Sequence, residues 1–124
     1  MYAKCLEDLN IYTKALKLSK EIGELIKKIP FYWKLKEVDQ IKRSSSSVSA
    51  NIAEGFGQRF YPKKFVYYLN IALGSSDETQ NHLKELINKN HIRQSVFDHY
   101  SFHCKKLSVQ ILNLINYQRE KHNI

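Results

Sequence analysis

The fold is decided by residues 40–57, which read QIKRSSSSVSANIAEGFG. Ile41, Val48 and Ile52 recur at spacings of seven and four, which places them on one face of a helix. Most residues between them are serine or alanine, which cannot fill a core by volume but let another helix approach closely. Gly55 then predicts the end of the helix, because glycine readily adopts the left-handed conformation that stops one. The stretch therefore predicts a helix with a small packing face.

Helical spacing of apolar residues extends over the rest of the chain, without strand-like alternation. Four long amphipathic helices joined by short connections predict an all-α protein, an antiparallel up-down-up-down four-helix bundle. At 124 residues, we expect a single domain that spans residues 1–124. The predicted helices run from a cap at Asp8 to Ile29, from about Glu37 to Glu54, from Pro62 to Ile87, and from a cap at Ser95 to Ile115, with a frayed tail from Tyr117.

The overall composition, 43% hydrophobic and 26% charged, is typical of a soluble globular protein. Two cysteines, Cys5 and Cys104, are too few for a disulfide framework. No basic-then-apolar signal segment opens the chain, and no apolar run approaches the ~20 residues of a membrane span. We therefore expect a cytoplasmic protein with reduced thiols and no membrane partner.

The net charge of +8 favours a polyanionic partner such as RNA or another nucleic acid. Residues 27–64 carry nine basic and three acidic residues and so supply +6 of this charge. The alternative is a solvated basic surface that binds nothing acidic. The residues that we predict to contact phosphate are Lys42, Arg43, Arg59, Lys63, Lys64, Lys105 and Lys106.

Three consecutive aromatic residues, Phe31, Tyr32 and Trp33, follow Pro30 in the first connection. One interpretation is a plug over the open end of the bundle. The other is a stacking platform for unpaired bases, or a contact with a protein partner. Two lysines flank the aromatic run, an interleaving that is typical of nucleic-acid sites.

Few residue patterns point to catalysis. His99 and His103 are one helical turn apart, with Cys104 adjacent, but no second pair of metal ligands is visible. Glu54, Asp77 and Glu78 would suit a metal-dependent nuclease, with helix-end and interface hydrogen bonding as the alternative. Neither a glycine-rich phosphate loop nor a nucleophile elbow is present. We therefore predict a protein that is not an enzyme and has no metal or cofactor.

The central stretch also resembles the signature of a four-helix bundle family that is encoded by insertions in bacterial 23S ribosomal RNA genes. Ser44, Ser45 and Lys42 depart from that signature. A second match, further along the chain, follows the family pattern Phe-x-x-x-Leu-x-x-Ala-x-Gly-Ser-x-x-Glu. The matching residues are Gln40, Ile41, Arg43, Ser47, Val48, Asn51, Ile52, Ala53, Glu54 and Gly55, followed by Phe65, Leu69, Ala72, Gly74, Ser75 and Glu78.

The resemblance implies most of the expected function. Relatives form five-membered rings, and the chain is similar to the accessory variability determinant of diversity-generating retroelements, which binds RNA and a reverse transcriptase. It therefore implies a non-enzymatic scaffold for structured RNA, a homopentamer, and a reverse transcriptase as a further partner. The alternatives are a protein-interaction module without nucleic-acid binding and a metal-dependent nuclease. Residues predicted at a subunit or partner interface are Asn51, Glu54, Gly55, Ser75 and Glu78, with Phe31, Tyr32 and Trp33.

Overall fold

The computed structural model of the chain describes residues 5–6 and 9–124. Within these residues the protein has four α-helices, a short 3-10 turn at Tyr32–Lys34 and no β-strand, so the all-α prediction is confirmed. None of the helices in this part of the chain is long and apolar enough to cross a membrane. The helices are α1 (Asn10–Ile26), α2 (Lys36–Gly57), α3 (Pro62–Asn88) and α4 (Gln94–His122).

The bundle closes because neighbouring helices pack together. α1 contacts α2, α2 contacts α3, α3 contacts α4, and α4 returns to α1. Two clusters of buried apolar side chains fill the interior, and each draws on all four helices. The first cluster includes Ile11, Ile52, Leu69 and Ile111, and the second includes Ile22, Ile41, Leu83 and Cys104.

The predicted ends of α1 were partly wrong. α1 ends at Ile26 rather than Ile29, although Ile29 in the turn that follows is still buried. The apolar residues keep their helical spacing beyond the end of α1, because Ile29 in the turn is also buried in the core. The spacing alone therefore predicted a helix that was too long. At the other end, the predicted cap Asp8 lies outside the described residues, and Leu9 precedes α1 without a side-chain capping bond.

The prediction that Gly55 stops α2 was also wrong. α2 continues to Gly57, and none of the glycines has a positive φ. Gly55 is instead buried where α3 approaches most closely. A Cβ atom at this position would lie 3.0 Å from the Cβ of Tyr68 and 3.2 Å from the Cδ1 of Phe65. Glycine is therefore required here for space between two helices and not for backbone conformation.

The start of α3 at Pro62 is confirmed. The predicted cap of α4 is not, because Arg93 precedes the helix without a side-chain capping bond and Ser95 lies inside it. The frayed tail was wrong as well. α4 runs to His122 and ends at Asn123, whose left-handed backbone lets its N–H donate to the carbonyl of Arg119.

The small faces of α2 and α3 meet, as the serine-rich stretch predicted. The Ser47 and Ser75 hydroxyls are 2.8 Å apart, and the Thr79 hydroxyl lies 3.0 Å from that of Ser44. Ser44 also lies 3.0 Å from Nδ1 of His82. Buried hydroxyls would destabilise an apolar core if left unpaired, so these bonds across the helix pair make the close approach tolerable.

Glu37, in the first turn of α2, is a buried acid, and it accepts a hydrogen bond and ion pair from the Lys89 ammonium. That hydrogen bond is the largest of the effects that lower the pKa of Glu37 below its ordinary value of 4.5. Lys89 follows α3, so the pair joins the start of α2 to the end of α3.

The close contact at Gly55 predicts opposite effects for two alanine substitutions. Gly55→Ala should lower the free energy of unfolding by about 1–3 kcal/mol, because the new methyl group overpacks against Phe65 and Tyr68. Gly23→Ala should raise it by about 0.5–1 kcal/mol, because no described atom lies within 4 Å of the new Cβ and helix propensity improves. Urea denaturation of both variants measures the difference. Equal stabilisation by the two substitutions would contradict the assigned role of Gly55.

The ion pair at Glu37 predicts a pH dependence of stability. Since the folded pKa of Glu37 is lowered, the unfolded chain binds more protons between the folded value and 4.5. The stabilisation is therefore complete above 4.5 and is lost as the pH falls through the folded pKa. Glu37→Gln should lower the Tm at neutral pH by a few degrees, and this difference should shrink in acid. Glu120→Gln, at an exposed position on α4, serves as control, and a pH-independent difference for Glu37→Gln would argue against the ion pair.

Candidate nucleic-acid interface

The predicted phosphate-contacting residues do not form one site. Lys42 and Arg43 are exposed on α2, and Lys105 and Lys106 are exposed on α4, which lies diagonally across the bundle. Arg43 already has a partner on its own helix, since its Nε is 3.2 Å from a carboxylate oxygen of Asp39. Of the predicted basic residues, the structure brings together only those in the second connection and at the start of α3.

Residues 58–61 join α2 to α3, and Arg59 is the centre of this connection. Its guanidinium carbon lies 4.0 Å from the ring centroid of Phe56 and 4.7 Å from that of Phe60. One terminal nitrogen, Nη1, donates to the Phe56 carbonyl at 3.0 Å. The Nε atom is buried and has no hydrogen-bond partner among the described residues. The Arg59 guanidinium is thus in cation–π contact with two aromatic rings.

Two exposed aromatic rings precede Pro62, and two exposed lysines follow it. Phe60 is 71% exposed and Tyr61 is 62% exposed. The Lys64 ammonium lies 5.1 Å from the Tyr61 ring centroid, and Lys63 is exposed beside it. Contiguous exposed apolar surface is typical of an interaction site, and aromatic rings next to cations suit single-stranded nucleic acid.

The last turns of α4 complete a groove beside this connection. The groove has a volume of about 300 Å³. Tyr117 and Lys121 contribute from α4, and the Lys121 ammonium lies 5.7 Å from the Tyr117 ring centroid. Phe56, Arg59 and Phe60 form the facing side. The α4 residues were missed from the sequence because that segment was predicted to fray.

The first connection carries the other aromatic group. Phe31 and Trp33 are 62% and 68% exposed, and only Tyr32 packs partly against the core. The interpretation as a plug is therefore wrong for two of the three rings. Phe31 adopts the left-handed conformation, and its ring lies 5.8 Å from that of Trp33 and 5.6 Å from the Lys34 ammonium. The two connections lie at opposite ends of α2, about 33 Å apart for a helix of 22 residues.

The predicted interface residues divide into buried and exposed sets. Gly55 and Ser75 are buried between α2 and α3, so they are corrected to contacts within the chain. Asn51 is half-buried and donates to the carbonyl and hydroxyl of Ser47 at 2.9 and 3.0 Å. Glu54 and Glu78 are exposed, and so remain accessible to a partner.

The histidines and carboxylates are not assembled for metal binding in the described part of the chain. The His99 and His103 rings lie 4.6 Å apart, but no group of three or more His, Cys, Asp or Glu residues comes together there. Cys104 is buried, and burial raises the pKa of its thiol to about 12. Cys104 therefore packs in the second cluster as a neutral thiol.

A family model for the 23S rRNA-intervening sequence protein matches residues 7–113. The chain belongs to the 23S rRNA-intervening sequence protein family. This intervening-sequence protein is also similar to a solved structure from Bacteroides thetaiotaomicron VPI-5482, a protein with unknown function from the S23 ribosomal protein family. The two share 26% identity with a TM-score of 0.77, over 85% of this chain and 97% of the other. No curated protein matches.

The match spans both the serine-rich helix and the basic connection. The α4 side of the groove in this intervening-sequence protein lies beyond it, since Tyr117 and Lys121 follow residue 113. The sequence did contain one signal for the site. Residues 59–64 read RFYPKK, in which two adjacent aromatic residues have basic residues on both sides.

Proposed function

We propose that this intervening-sequence protein is a non-enzymatic, basic scaffold that binds structured RNA. The observation that carries the proposal is the second connection, where Arg59, Lys63 and Lys64 surround the exposed rings of Phe60 and Tyr61. Residues 55–76 contain no acid, so no carboxylate of this segment repels phosphate or competes for the cations. Phosphate binding at such a surface gains free energy from released counterions.

We also propose an antiparallel, up-down-up-down arrangement of the four helices. It is supported by the contacts between α2 and α3, where residue numbers fall along one helix as they rise along the other. Gly55 approaches Tyr68, Ser47 approaches Ser75, and Glu37 approaches Lys89. The short connection at residues 58–61 between them also favours this arrangement.

Self-association into a five-membered ring is the second part of the proposal. Support comes from an exposed apolar stripe on α4, where Phe102, Val109 and Leu112 are 61%, 56% and 43% exposed. Their spacings of seven and three place them on one helix face. Five copies of a +8 chain would carry +40, a charge suited to a folded RNA. Lys105 and Lys106 lie beside the same stripe, so in a ring they would face the neighbouring subunit more than the solvent.

The remaining expectations belong to the same proposal. The resemblance supports a reverse transcriptase as a protein partner. The proposed binding of RNA favours a cytoplasmic location. The exposed pair Phe31 and Trp33 favours a second candidate function, recruitment of a protein partner independently of RNA. The absence of measurable nucleic-acid binding at moderate salt would support this second function.

The proposed RNA binding predicts an affinity that depends steeply on salt, with part of the dependence due to the lysines that follow the second connection. Anisotropy of a labelled, structured RNA should show affinity that falls linearly with salt on logarithmic axes, with duplex DNA measured alongside. The double variant Lys63→Glu/Lys64→Glu should make the slope shallower by about 1–2, because one or two phosphate contacts are lost at about 0.7–0.9 each. The matched control is Lys17→Glu/Lys20→Glu on α1, which changes the net charge equally.

Two results would overturn this assignment. If the α1 control weakens binding as much as the connection variant, only overall charge matters and the connection is not the site. If the wild-type protein binds no RNA at low salt, the basic surface is merely solvated and the protein-partner function takes its place.

The ring predicts a particle of defined mass. Five chains of 14.6 kDa give about 73 kDa by multi-angle light scattering. Phe102→Ser/Val109→Ser should dissociate it towards 14.6 kDa, because two apolar side chains leave the contact and two hydroxyls enter it. Phe31→Ser is the control, since it removes an exposed ring at the first connection. A wild-type mass of one chain at high protein concentration would contradict the ring.

A further inference from the structure

The groove at the end of the bundle differs from the rest of the basic surface because it is concave and aromatic. Its volume of about 300 Å³ is at the lower end of the roughly 300–1,000 Å³ typical of small-molecule sites. Phe60 on one side is 71% exposed, and Tyr117 on the other is 55% exposed. Both rings therefore leave much of their surface unburied within a site that a flat molecule could enter.

The polar groups around the groove are nearly all donors or cations. Arg59 presents a guanidinium held against Phe56 and Phe60, and its buried Nε lacks a partner among the described residues. Lys121 and His122 contribute from α4. None of the described lining residues is acidic. The ligand chemistry that fits is a planar ring with acceptor atoms attached to a negatively charged chain.

Lysines also mark a path that leads away from the groove. Pro62 lines it, and Lys63 and Lys64 follow directly in the first turn of α3. Lys121 stands on the α4 side, over the Tyr117 ring. A base inserted between the rings would therefore leave its sugar-phosphate chain near cations on both sides.

Other surfaces fit this ligand less well. A second cavity of about 200 Å³ between α1 and α4 contains the carboxylate of Glu21 beside Lys14, Lys17, His99 and His103, and has no Phe, Tyr or Trp in its lining. Phe31 and Trp33 are exposed aromatic rings, but they contact each other edge to face rather than line a groove.

We infer that the groove formed by Arg59, Phe60, Tyr117 and Lys121 binds one unpaired base of an RNA strand. The base stacks on the aromatic rings, and the lysines hold the flanking phosphates. This inference rests on the proposed RNA binding and makes it more specific. A base inside a duplex is already stacked and cannot enter, so the protein discriminates RNAs that present an unpaired base from RNAs that are fully paired.

The test compares two labelled RNA hairpins of equal length, one fully paired in its stem and one with a single-nucleotide bulge, each closed by the same short chemical linker in place of a nucleotide loop. Wild-type protein should bind the bulged hairpin about tenfold more tightly, since stacking of one base contributes that order of affinity. Phe60→Ala and Tyr117→Ala should remove this preference, so that each variant binds the bulged hairpin no more tightly than the paired one. Trp33→Ala, at a ring of similar exposure in the first connection, should change neither affinity.

A second readout reports the base itself. With 2-aminopurine in the bulge, stacking in the groove should quench its fluorescence when wild-type protein binds, and Phe60→Ala should abolish the change. Phe60→Leu keeps an apolar side chain but removes the aromatic face, so it should behave like Phe60→Ala. Circular dichroism melting establishes that each variant is folded.

The outcomes separate the inference from the proposed function. Equal affinity of wild-type protein for both hairpins overturns the base pocket but leaves RNA binding in place. Loss of the preference in Trp33→Ala but not in Phe60→Ala also overturns it, by moving the base to the first connection. Failure of wild-type protein to bind either hairpin at low salt overturns the proposed function itself.

Discussion

The close approach of α2 and α3 is the constraint on which the rest of the structure depends. At Gly55 there is no room for a methyl group, because a Cβ would lie 3.0 Å from that of Tyr68. Further along, the serine and threonine hydroxyls pair across the contact and so remove the cost of their burial. Two helices this close can be joined by a connection of four residues, 58–61. The short connection in turn presents Arg59 and Phe60 together at the end of the bundle.

The sequence could predict the helices but not all of their ends. Pro62 identifies the start of α3 because its missing N–H and fixed φ suit that position alone. Gly55 is ambiguous, since a glycine after an apolar stripe suits either a helix stop or a close contact, and only the position of α3 decides. The end of α4 was missed because polar residues after Ile115 gave no stripe, although they continue the helix on a solvated face.

The candidate site was predictable to the extent that it is local. Arg59, Lys63 and Lys64 are close in sequence, so their clustering follows from any fold that places them in one connection. Tyr117 lies more than fifty residues away and reaches the site only through the packing of the bundle. Arg59 was predicted only as a phosphate contact, whereas its guanidinium also contacts the rings of Phe56 and Phe60. It therefore shapes the groove as well as contributing charge.

The groove and the apolar stripe on α4 are close enough to influence each other. Leu112 and Tyr117 are five residues apart, or about 8 Å along the helix axis. A subunit seated on the stripe would thus bring further positive charge towards the end of the bundle that carries the groove. In the proposed ring, copies of a +8 chain would repel one another, and a bound RNA would offset the repulsion. In this arrangement RNA binding and assembly are thermodynamically linked, so each strengthens the other by the same factor.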